Sequence, residues 1–321
     1  MSAGVGKYRL GPFLLASEIP LPELDSLASE HGPADVTIRV GIAPDHIDQV
    51  VANESRWWAS REEYLLRVPA VATFLVRRGC EVIVQPAADA LPGDIRAYLL
   101  SPIFSVLCYQ SGMYSLHASA VRVGDGVVAF LGDSGAGKST LAACLRQRGY
   151  TVIADDSCLL DTRQSNPSAE AGPVLVVPVA PALKLWRSAA EQLGVSPADH
   201  PRVFSRDDKY RLKLPQAEDL DLRLPLREVL FLEWAEAADA LTTFTLVEGV
   251  AAITRLMEAT HFDHMMKAAG RLTGNFLLCG RILAHARAFT FRRPRNFAHI
   301  DAVIDALEHH FADEPSQAGR S

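Results

Sequence analysis

The chain contains few cysteines, and no two of them form a pair. Its five cysteines are an odd number, lie far apart and include no C-x-x-C sequence. Such spacing offers no disulfide framework. We therefore expect reduced, mostly buried thiols in a cytoplasmic protein.

Positive charge and long apolar runs are also scarce. The net charge of −6 gives no general attraction to nucleic acid or to an anionic membrane. The most hydrophobic stretch, residues 99–109, is far shorter than the ~20 residues needed to cross a bilayer. The N-terminus lacks a basic segment followed by an apolar core, so we expect no secretory signal. Neither nucleic acid nor a membrane is an expected partner.

Length and composition indicate one catalytic domain with a smaller companion. The chain has 321 residues, of which 49% are apolar and 22% are charged. Strand-like runs predict an N-terminal α+β domain over residues 1–112, and a helix kinked at Pro102 is expected near its end. The catalytic domain is predicted over residues 113–312 and a disordered tail over residues 313–321. Formation of a homo-oligomer is left open. The predicted N-terminal strands cover residues 8–16, 36–41, 63–68, 73–77 and 81–85.

A phosphate-binding loop is the strongest motif in the sequence. A full Walker A element lies between an apolar run at 126–131 and a helical pattern that starts at Leu141. Its glycines let the backbone N–H groups turn inward, its lysine adds a mobile positive charge, and its serine hydroxyl can bind Mg²⁺. A nucleoside triphosphate is therefore the first ligand to consider. The predicted binding residues are Gly132, Asp133, Ser134, Gly135, Ala136, Gly137, Lys138, Ser139 and Thr140.

The strand before this loop is predicted to belong to a hairpin. Apolar runs at 114–123 and 126–131 flank a Gly-Asp-Gly turn, which is a strong hairpin signal. A hairpin entry differs from the βαβ entry of a parallel sheet and favours a mixed sheet. We predict an α/β fold, α+β overall. Beyond a polar loop at 165–172, the chain shows strand patterns at 174–179, 184–186, 210–214 and 229–234, and helical patterns at 265–283 and 300–311.

Two adjacent carboxylates follow an apolar strand downstream of the loop. Asp155 and Asp156 end the run at 150–154, and Asp155 follows Lys138 by 17 residues. One helix and one short connection fill that interval, so we expect the pair beside the loop. One carboxylate could bind Mg²⁺ there while the other accepts a hydroxyl proton. The alternative is a pair of turn aspartates that cap the strand.

One histidine and three basic residues could complete the site. His117 precedes Lys138 by 21 residues, and its imidazole could hydrogen-bond a carboxylate or a phosphoryl group. The alternative is a polar side chain satisfied under a loop. Lys209, Arg211 and Lys213 alternate with apolar residues, so a strand there would direct three positive charges toward phosphates or an acidic peptide. A solvated edge strand is the alternative.

Two other clusters are not expected to form sites. Arg292, Arg293 and Arg295 are interpreted as surface charge flanking a strand. His261 and His264 would lie one turn apart on a helix. No cysteine or carboxylate group with zinc spacing accompanies them, so no structural metal is expected there.

Three segments resemble, in order and spacing, the catalytic domain of the HPr kinase/phosphorylase family. They are HASAV at 117–121, GDSGAGKS at 132–139 and RGYTVIADD at 148–156. The segments YRL at 8–10, SEIPLPEL at 17–24 and KLW at 184–186 resemble the HPr-kinase-related proteins of lasso-peptide gene clusters. Those proteins include kinases that phosphorylate a serine of a precursor peptide.

The resemblance implies a P-loop kinase domain of the HPr kinase/PEP carboxykinase type that uses ATP and Mg²⁺. Lys138 and the loop amides would hold the phosphates, and Ser139 would bind Mg²⁺. Asp155 would be the base or a metal ligand, with Asp156 as its neighbour and His117 as a polar support of the pair.

One departure limits what the resemblance implies about the substrate. HPr kinases carry a glycine-rich segment with a metal-binding glutamate after the acidic pair, and residues 165–186 contain no recognisable equivalent. The resemblance therefore does not extend to HPr as the substrate or to the reverse phosphorylase reaction.

The expected activity is transfer of the γ-phosphoryl group of Mg²⁺-ATP to a serine-type hydroxyl of a peptide, with the N-terminal domain contributing to peptide recognition. Two alternatives remain open: a small-molecule kinase, acting for example on free serine, and a nucleotide-dependent regulatory or transport ATPase. A transport ATPase needs a Leu-Ser-Gly-Gly-Gln-like motif and a distant strand that ends in aspartate, and the sequence shows neither.

Overall fold

The computed structural model of the chain describes residues 5–29, 32–162, 172–179, 182–214, 222–236 and 241–312. In it, the N-terminal part of the chain forms a separate eight-stranded sheet. Its strands are β1 (Gly6–Leu10), β2 (Phe13–Ser17), β3 (Val36–Val40), β4 (Ala52–Glu54), β5 (Trp57–Ala59), β6 (Glu63–Val68), β7 (Ala72–Arg77) and β8 (Glu81–Pro86). Their order in the sheet is β1-β2-β3-β8-β7-β6-β5-β4. β2 alternates buried and half-buried residues, as a strand with one face on the core does. β4 and β5 were not among the predicted strands.

Two helices connect this sheet to the rest of the chain. They are α1 (Pro92–Tyr98) and α2 (Phe104–Gln110), joined by a π-helical turn at Leu99–Ile103. Pro102 lies inside that turn. Proline cannot donate a backbone hydrogen bond and its ring clashes with the preceding helical turn, and a wider turn relieves both conflicts. The predicted kinked helix is therefore present, with its irregularity at the proline.

A second sheet carries the phosphate-binding loop. Its strands are β9 (Tyr114–Leu116), β10 (Ala118–Val123), β11 (Gly126–Leu131), β12 (Val152–Ala154), β13 (Cys158–Asp161), β14 (Leu175–Val177), β17 (Leu224–Trp234), β18 (Thr243–Leu246) and β19 (Arg287–Arg293). The order is β12-β10-β11-β17-β14-β13-β9, with β19 beside β17 and β18 beside β19. β10 and β11 form an antiparallel hairpin, whereas β11 and β19 run parallel to β17. The sheet is mixed, as the hairpin entry predicts.

The predicted strand over residues 114–123 is interrupted at His117. β9 pairs with β13, whereas β10 pairs with β11 and β12, so the chain changes neighbours at this residue. The His117 N–H donates instead to the Ala259 carbonyl at 2.7 Å. This long-range contact has no local sequence signal.

A two-stranded ribbon lies beside the loop. Its strands are β15 (Ala182–Trp186) and β16 (Lys209–Lys213), paired so that Lys184 faces Arg211 and Trp186 faces Lys209. The intervening apolar side chains of both strands belong to a buried cluster. The opposite face of the ribbon therefore carries the charged residues, because successive side chains of a strand point to opposite sides.

The remaining helices are α3 (Lys138–Gln147), α4 (Arg187–Gln192), α5 (Gly249–Glu258), α6 (Asp263–Ala268), α7 (Leu272–His285) and α8 (Ile300–Ala312). Short 3₁₀ turns occupy Pro22–Leu27, Pro197–Asp199 and Phe297–His299. The helical pattern over residues 265–283 is broken between α6 and α7 at Gly270, which has φ of 71°. The last quarter of the chain also contains β18 and β19, so it is less uniformly helical than predicted.

The second sheet is buried on both faces. In β11, Val127, Ala129 and Leu131 belong to one apolar cluster, and Val128 and Phe130 belong to the other. Helices α3 and α8 and the ribbon cover the second of these faces. This two-sided burial explains why β11 is a continuous apolar run rather than an alternating one.

Membrane-spanning helices and disulfides are not expected from the sequence. Within the described ranges, no helix is long and apolar enough to cross a bilayer. Cys80 is exposed, the other four cysteines are buried, and no disulfide joins any of these residues. Residues 165–171 of the predicted polar loop and the predicted tail over 313–321 lie outside the described residues.

Truncation of the central strand should destabilise the fold. Leu230 of β17 is fully buried, so Leu230→Ala should lower the free energy of unfolding by about 2–5 kcal/mol through lost burial and a cavity. Leu246→Ala, at a half-exposed position of β18, is the control and should change it by less than about 0.5 kcal/mol. Urea unfolding followed by circular dichroism measures both, and equal effects would contradict the assigned burial.

Candidate nucleotide-binding site

The loop between β11 and α3 has the backbone of a phosphate cradle. Gly135 and Gly137 have φ of 86° and 85°, a region that side chains with a Cβ seldom adopt. Helix α3 begins at Lys138, directly after this turn. The free N–H groups of the helix start and the positive end of its dipole therefore face the same place, which suits an anion.

Lys138 is held inside the loop. Its Nζ donates to the carbonyl oxygens of Gly132 and Asp133 at 2.6 and 3.0 Å, and the residue is only 7% exposed. Burial lowers the pKa of Lys138, against the attraction of Asp156 and Asp155, which raises it. The ammonium group is thus already positioned at the loop.

Asp155 connects three parts of the fold. Its Oδ1 accepts from the hydroxyls of Ser119 and Ser139, both at 2.7 Å, and its Oδ2 accepts from the Lys184 N–H at 2.7 Å. The two residues predicted to bind Mg²⁺, Ser139 and Asp155, therefore lie in direct contact. They provide oxygen ligands, which are those that Mg²⁺ prefers.

The Asp156 carboxylate has hydrogen-bond partners different from those of Asp155. Its Oδ2 accepts from Lys184 Nζ at 2.6 Å and from the Ser101 hydroxyl at 3.1 Å. Burial alone would raise the pKa of Asp156, but the charge of Lys184, its hydrogen bond and the charge of Lys209 bring it well below its usual value. The carboxylate is therefore ionised at neutral pH. Its φ of 71° is a left-handed conformation, which aspartate tolerates better than most residues.

His117 and His261 form a stacked pair beside Asp156. Their ring centroids lie 5.0 Å apart, and His117 Nδ1 is 3.1 Å from the Asp156 carbonyl oxygen. Burial lowers the pKa of His261 to about 3. Burial and the charge of Lys138 lower the pKa of His117 as well. Both imidazoles are therefore neutral near pH 7.

Sequence reasoning missed the role of His261 in this cluster. It was predicted one helical turn from His264, but it lies between α5 and α6, and the two rings have different neighbours. His264 packs on Trp57 of the first sheet at 4.9 Å. The potential metal-binding atoms of His117, Asp156 and His261 lie within 4.8 Å of one another, so a carboxylate does accompany one of these histidines. Two neutral imidazoles and a carboxylate can bind a divalent cation.

The ribbon brings basic residues over the acidic pair, although not all of the predicted ones. Lys184 contacts both aspartates as described above, although no chemical pattern in the sequence singles it out. Lys209 lines the same cleft, with its Nζ 5.8 Å from the centre of the Trp186 ring. Arg211 is 9% exposed and lines a separate cavity of about 40 Å³ with Asp155 and Lys184. Lys213 is exposed and lines neither cavity.

The loop opens into a cleft of about 420 Å³. Its charged and polar lining includes the loop, His117, Asp156, Lys184, Lys209 and Arg293. Apolar side chains form much of the remaining lining. They are Leu141, Leu185, Trp186, Ala189, Trp234, Pro294, Phe297, Ile300 and Val303.

The three arginines predicted to lie on the surface have different environments in the fold. Arg292 and Arg295 are exposed, whereas Arg293 is 3% exposed. Arg293 and Arg295 both line the cleft, and Arg292 does not. The position of Arg293 at the end of β19 turns it inward, between the neighbouring strand β17 and the loop. Strand alternation separates Arg292 from Arg293, but the sequence does not show which of them faces the core.

The similarity of this chain to known proteins is low. No profile of a known protein family matches it, and neither does any curated protein. Among solved structures, it is similar to the Hpr(Ser) kinase/phosphatase from Coxiella burnetii, at 10% sequence identity and a TM-score of 0.31, over 63% of this chain and 99% of that chain. A TM-score this low gives no residue correspondences, so the site is interpreted from its own geometry.

Replacement of His261 should make the free energy of unfolding depend less on pH under acidic conditions. The His261 pKa is about 3 in the folded chain and about 6.5 in an unfolded one, so the unfolded state binds more protons between these pH values. The stability linked to this group is complete above about pH 6.5 and decreases as the pH falls toward about 3. We expect His261→Gln to show a shallower fall in the free energy of unfolding over this window.

Urea unfolding at a series of pH values measures this slope. His46→Gln is the control, because His46 is exposed and its replacement should leave the slope of the wild type unchanged. The assignment of a neutral, buried His261 would be wrong if His261→Gln and the wild type lost stability in parallel.

Proposed function

We propose that this chain is a kinase that uses Mg²⁺-ATP and transfers the γ-phosphoryl group to a hydroxyl. The observation that supports this most directly is the 2.7 Å contact between the Ser139 hydroxyl and the Asp155 carboxylate. A serine at the helix start and a carboxylate at the end of a strand in the same sheet are the protein groups that hold magnesium in phosphate-loop enzymes. Lys138, adjacent to Ser139, adds the positive charge that the phosphates require.

The cleft supports binding of a complete nucleotide. The loop N–H groups, Lys138 and Lys209 would bind the phosphates, and the apolar lining at Phe297 and Ile300 would receive the base. Clefts of several hundred Å³ with an apolar lining and a few polar groups are typical of small-molecule sites. The cleft volume of about 420 Å³ falls in that range.

Magnesium would be held by Ser139 and Asp155. When bound, it would neutralise charge on the β- and γ-phosphate oxygens. Lys184 and Lys138 would limit repulsion between the nucleotide and the two aspartates, since Lys184 already pairs with Asp156 at 2.6 Å. The neutral imidazole of His117 would support the Asp156 backbone without adding charge.

The acceptor hydroxyl would approach the acidic pair. Its oxygen forms a bond to the γ-phosphorus, the bond from that phosphorus to the bridging oxygen breaks, and ADP leaves. The hydroxyl proton passes to the Asp155–Asp156 pair. Because the transition state of this reaction is loose, positioning and charge neutralisation contribute more than the strength of the base.

The acceptor that we propose is a serine in a peptide, of the lasso-peptide precursor type. Two features support it. The Ser101 hydroxyl, from the helical connection to the N-terminal sheet, reaches Asp156, so that part of the chain borders the reacting groups. The Trp186 ring is also half-exposed at the edge of the cleft, where it could contact an extended acceptor.

Removal of the phosphate-binding lysine or of the carboxylate should abolish most turnover. Lys138→Ala and Asp155→Asn should each reduce phosphoryl transfer by about 10²-fold or more, because each removes a preorganised charge at the transition state. Transfer from γ-labelled ATP to serine-containing peptides and to free serine measures both the rate and the acceptor class. Wild-type transfer by either variant would contradict the proposal, and ATP consumption without any labelled acceptor would favour an ATPase.

Two lysines on the same face of the ribbon provide a matched comparison. Lys209 lines the cleft, whereas Lys213 is exposed beyond it. Lys209→Ala should therefore raise the KM for ATP about tenfold, the usual effect of losing a charge-assisted hydrogen bond. Lys213→Ala should leave it unchanged. Steady-state kinetics with varied ATP tests this, and equal KM values for the two variants would remove Lys209 from the phosphate site.

A further inference from the structure

One buried cation has no part in the reaction described above. Arg293 is 3% exposed, and its Nη1 has no hydrogen-bond partner among the described residues. Among the described residues, no carboxylate forms an ion pair with the Arg293 guanidinium. Burial lowers the pKa of Arg293 to about 10, which still leaves it protonated at neutral pH. The interior therefore contains an uncompensated positive charge.

Arg293 lies directly against the phosphate-binding loop. Its Nη2 donates to the Ala136 carbonyl oxygen, and a Cβ added at Gly137 would come within 2.7 Å of the same nitrogen. The guanidinium carbon also lies 4.1 Å from the centre of the Trp234 ring. Contacts with the loop and with an aromatic ring therefore fix its position at the border of the cleft.

The contact with Ala136 sets the orientation of one loop peptide. The C=O and N–H groups of a trans peptide point in opposite directions. A carbonyl held toward Arg293 therefore turns the Gly137 N–H away from the arginine. Gly137 directly precedes α3, and N–H groups at a helix start are the ones that bind phosphate.

The burial of the Arg293 charge has an unfavourable desolvation cost. An isolated buried charge is unfavourable, and its replacement by an apolar side chain of similar volume is often neutral or stabilising. The preceding residue, Arg292, is neither buried nor unpaired. Its side chain is 56% exposed and pairs with Glu233 at 3.0 Å. Arg293 lines the same cleft as the loop, so a polyphosphate bound there would bring negative charge toward a guanidinium that has no carboxylate partner among the described residues.

We propose that Arg293 is a positioning residue for the nucleotide polyphosphate. It orients the Ala136–Gly137 peptide and places a fixed positive charge beside the loop. The inference rests on the proposed function, because it takes the cleft to be a nucleotide site. It concerns binding of the phosphates and not of the base.

The test compares stability with affinity in the same variants. Arg293→Met keeps a side chain of similar length on Trp234 but removes the charge and the donor. Its affinity for Mg²⁺-ATP and for inorganic tripolyphosphate should fall by at least about tenfold, whereas its affinity for adenosine should not change. Its midpoint of urea unfolding should equal or exceed that of the wild type. Arg293→Lys should retain part of the lost affinity, and Arg292→Met, at the exposed neighbour, should bind as the wild type does.

Titration calorimetry with these three ligands and urea unfolding provide the measurements. A wild type that binds neither Mg²⁺-ATP nor tripolyphosphate would overturn both this inference and the proposed function. A wild type that binds both, with Lys138→Ala weakened and Arg293→Met unchanged, would overturn this inference alone. An Arg293→Met variant that is less stable than the wild type, or that fails to fold, would also overturn it, because a structural role for the arginine predicts that loss.

Discussion

The rest of the site depends on the three hydrogen bonds that the Asp155 carboxylate accepts. Its two oxygens accept hydrogen bonds from Ser119 of β10, Ser139 of α3 and the backbone of Lys184 in β15. One buried anion thus joins the sheet, the loop helix and the ribbon. Charge-assisted hydrogen bonds of this kind are stronger than neutral ones, and they hold the three elements in one geometry.

Positive charge in the cleft exceeds what the two aspartates neutralise. Lys184 pairs with Asp156, and Lys138 and Lys209 add two more ammonium groups to the lining. Arg293 contributes a fourth cation, without a carboxylate partner in the described ranges. Such a distribution costs stability in the isolated protein. It is understandable as preorganisation for an anionic ligand, because charges fixed before binding need no rearrangement during the reaction.

Much of the site could be predicted because its chemistry is local in sequence. The spacing of glycines, lysine and serine predicts a turn that only such residues adopt, and a Gly-Asp-Gly turn between two apolar runs predicts the hairpin and the mixed sheet. The interval from Lys138 to Asp155 is one helix and one connection, so the acidic pair returns beside the loop. Periodicity failed where distant contacts override it, as at His117, whose N–H bonds to residue 259 and so divides one predicted strand into two.

The glycine-rich loop, the acidic pair and the alternating charges of the ribbon follow from local sequence, since each is a pattern within a few consecutive residues. Long-range packing sets the remaining features: His261 stacks on His117, Lys184 rather than Lys213 contacts the aspartates, and Arg293 turns inward while Arg292 turns out. These features depend on which strand lies beside which and on the register of their pairing. The free energy that fixes them comes from burial of apolar surface across the whole sheet, which no short segment encodes.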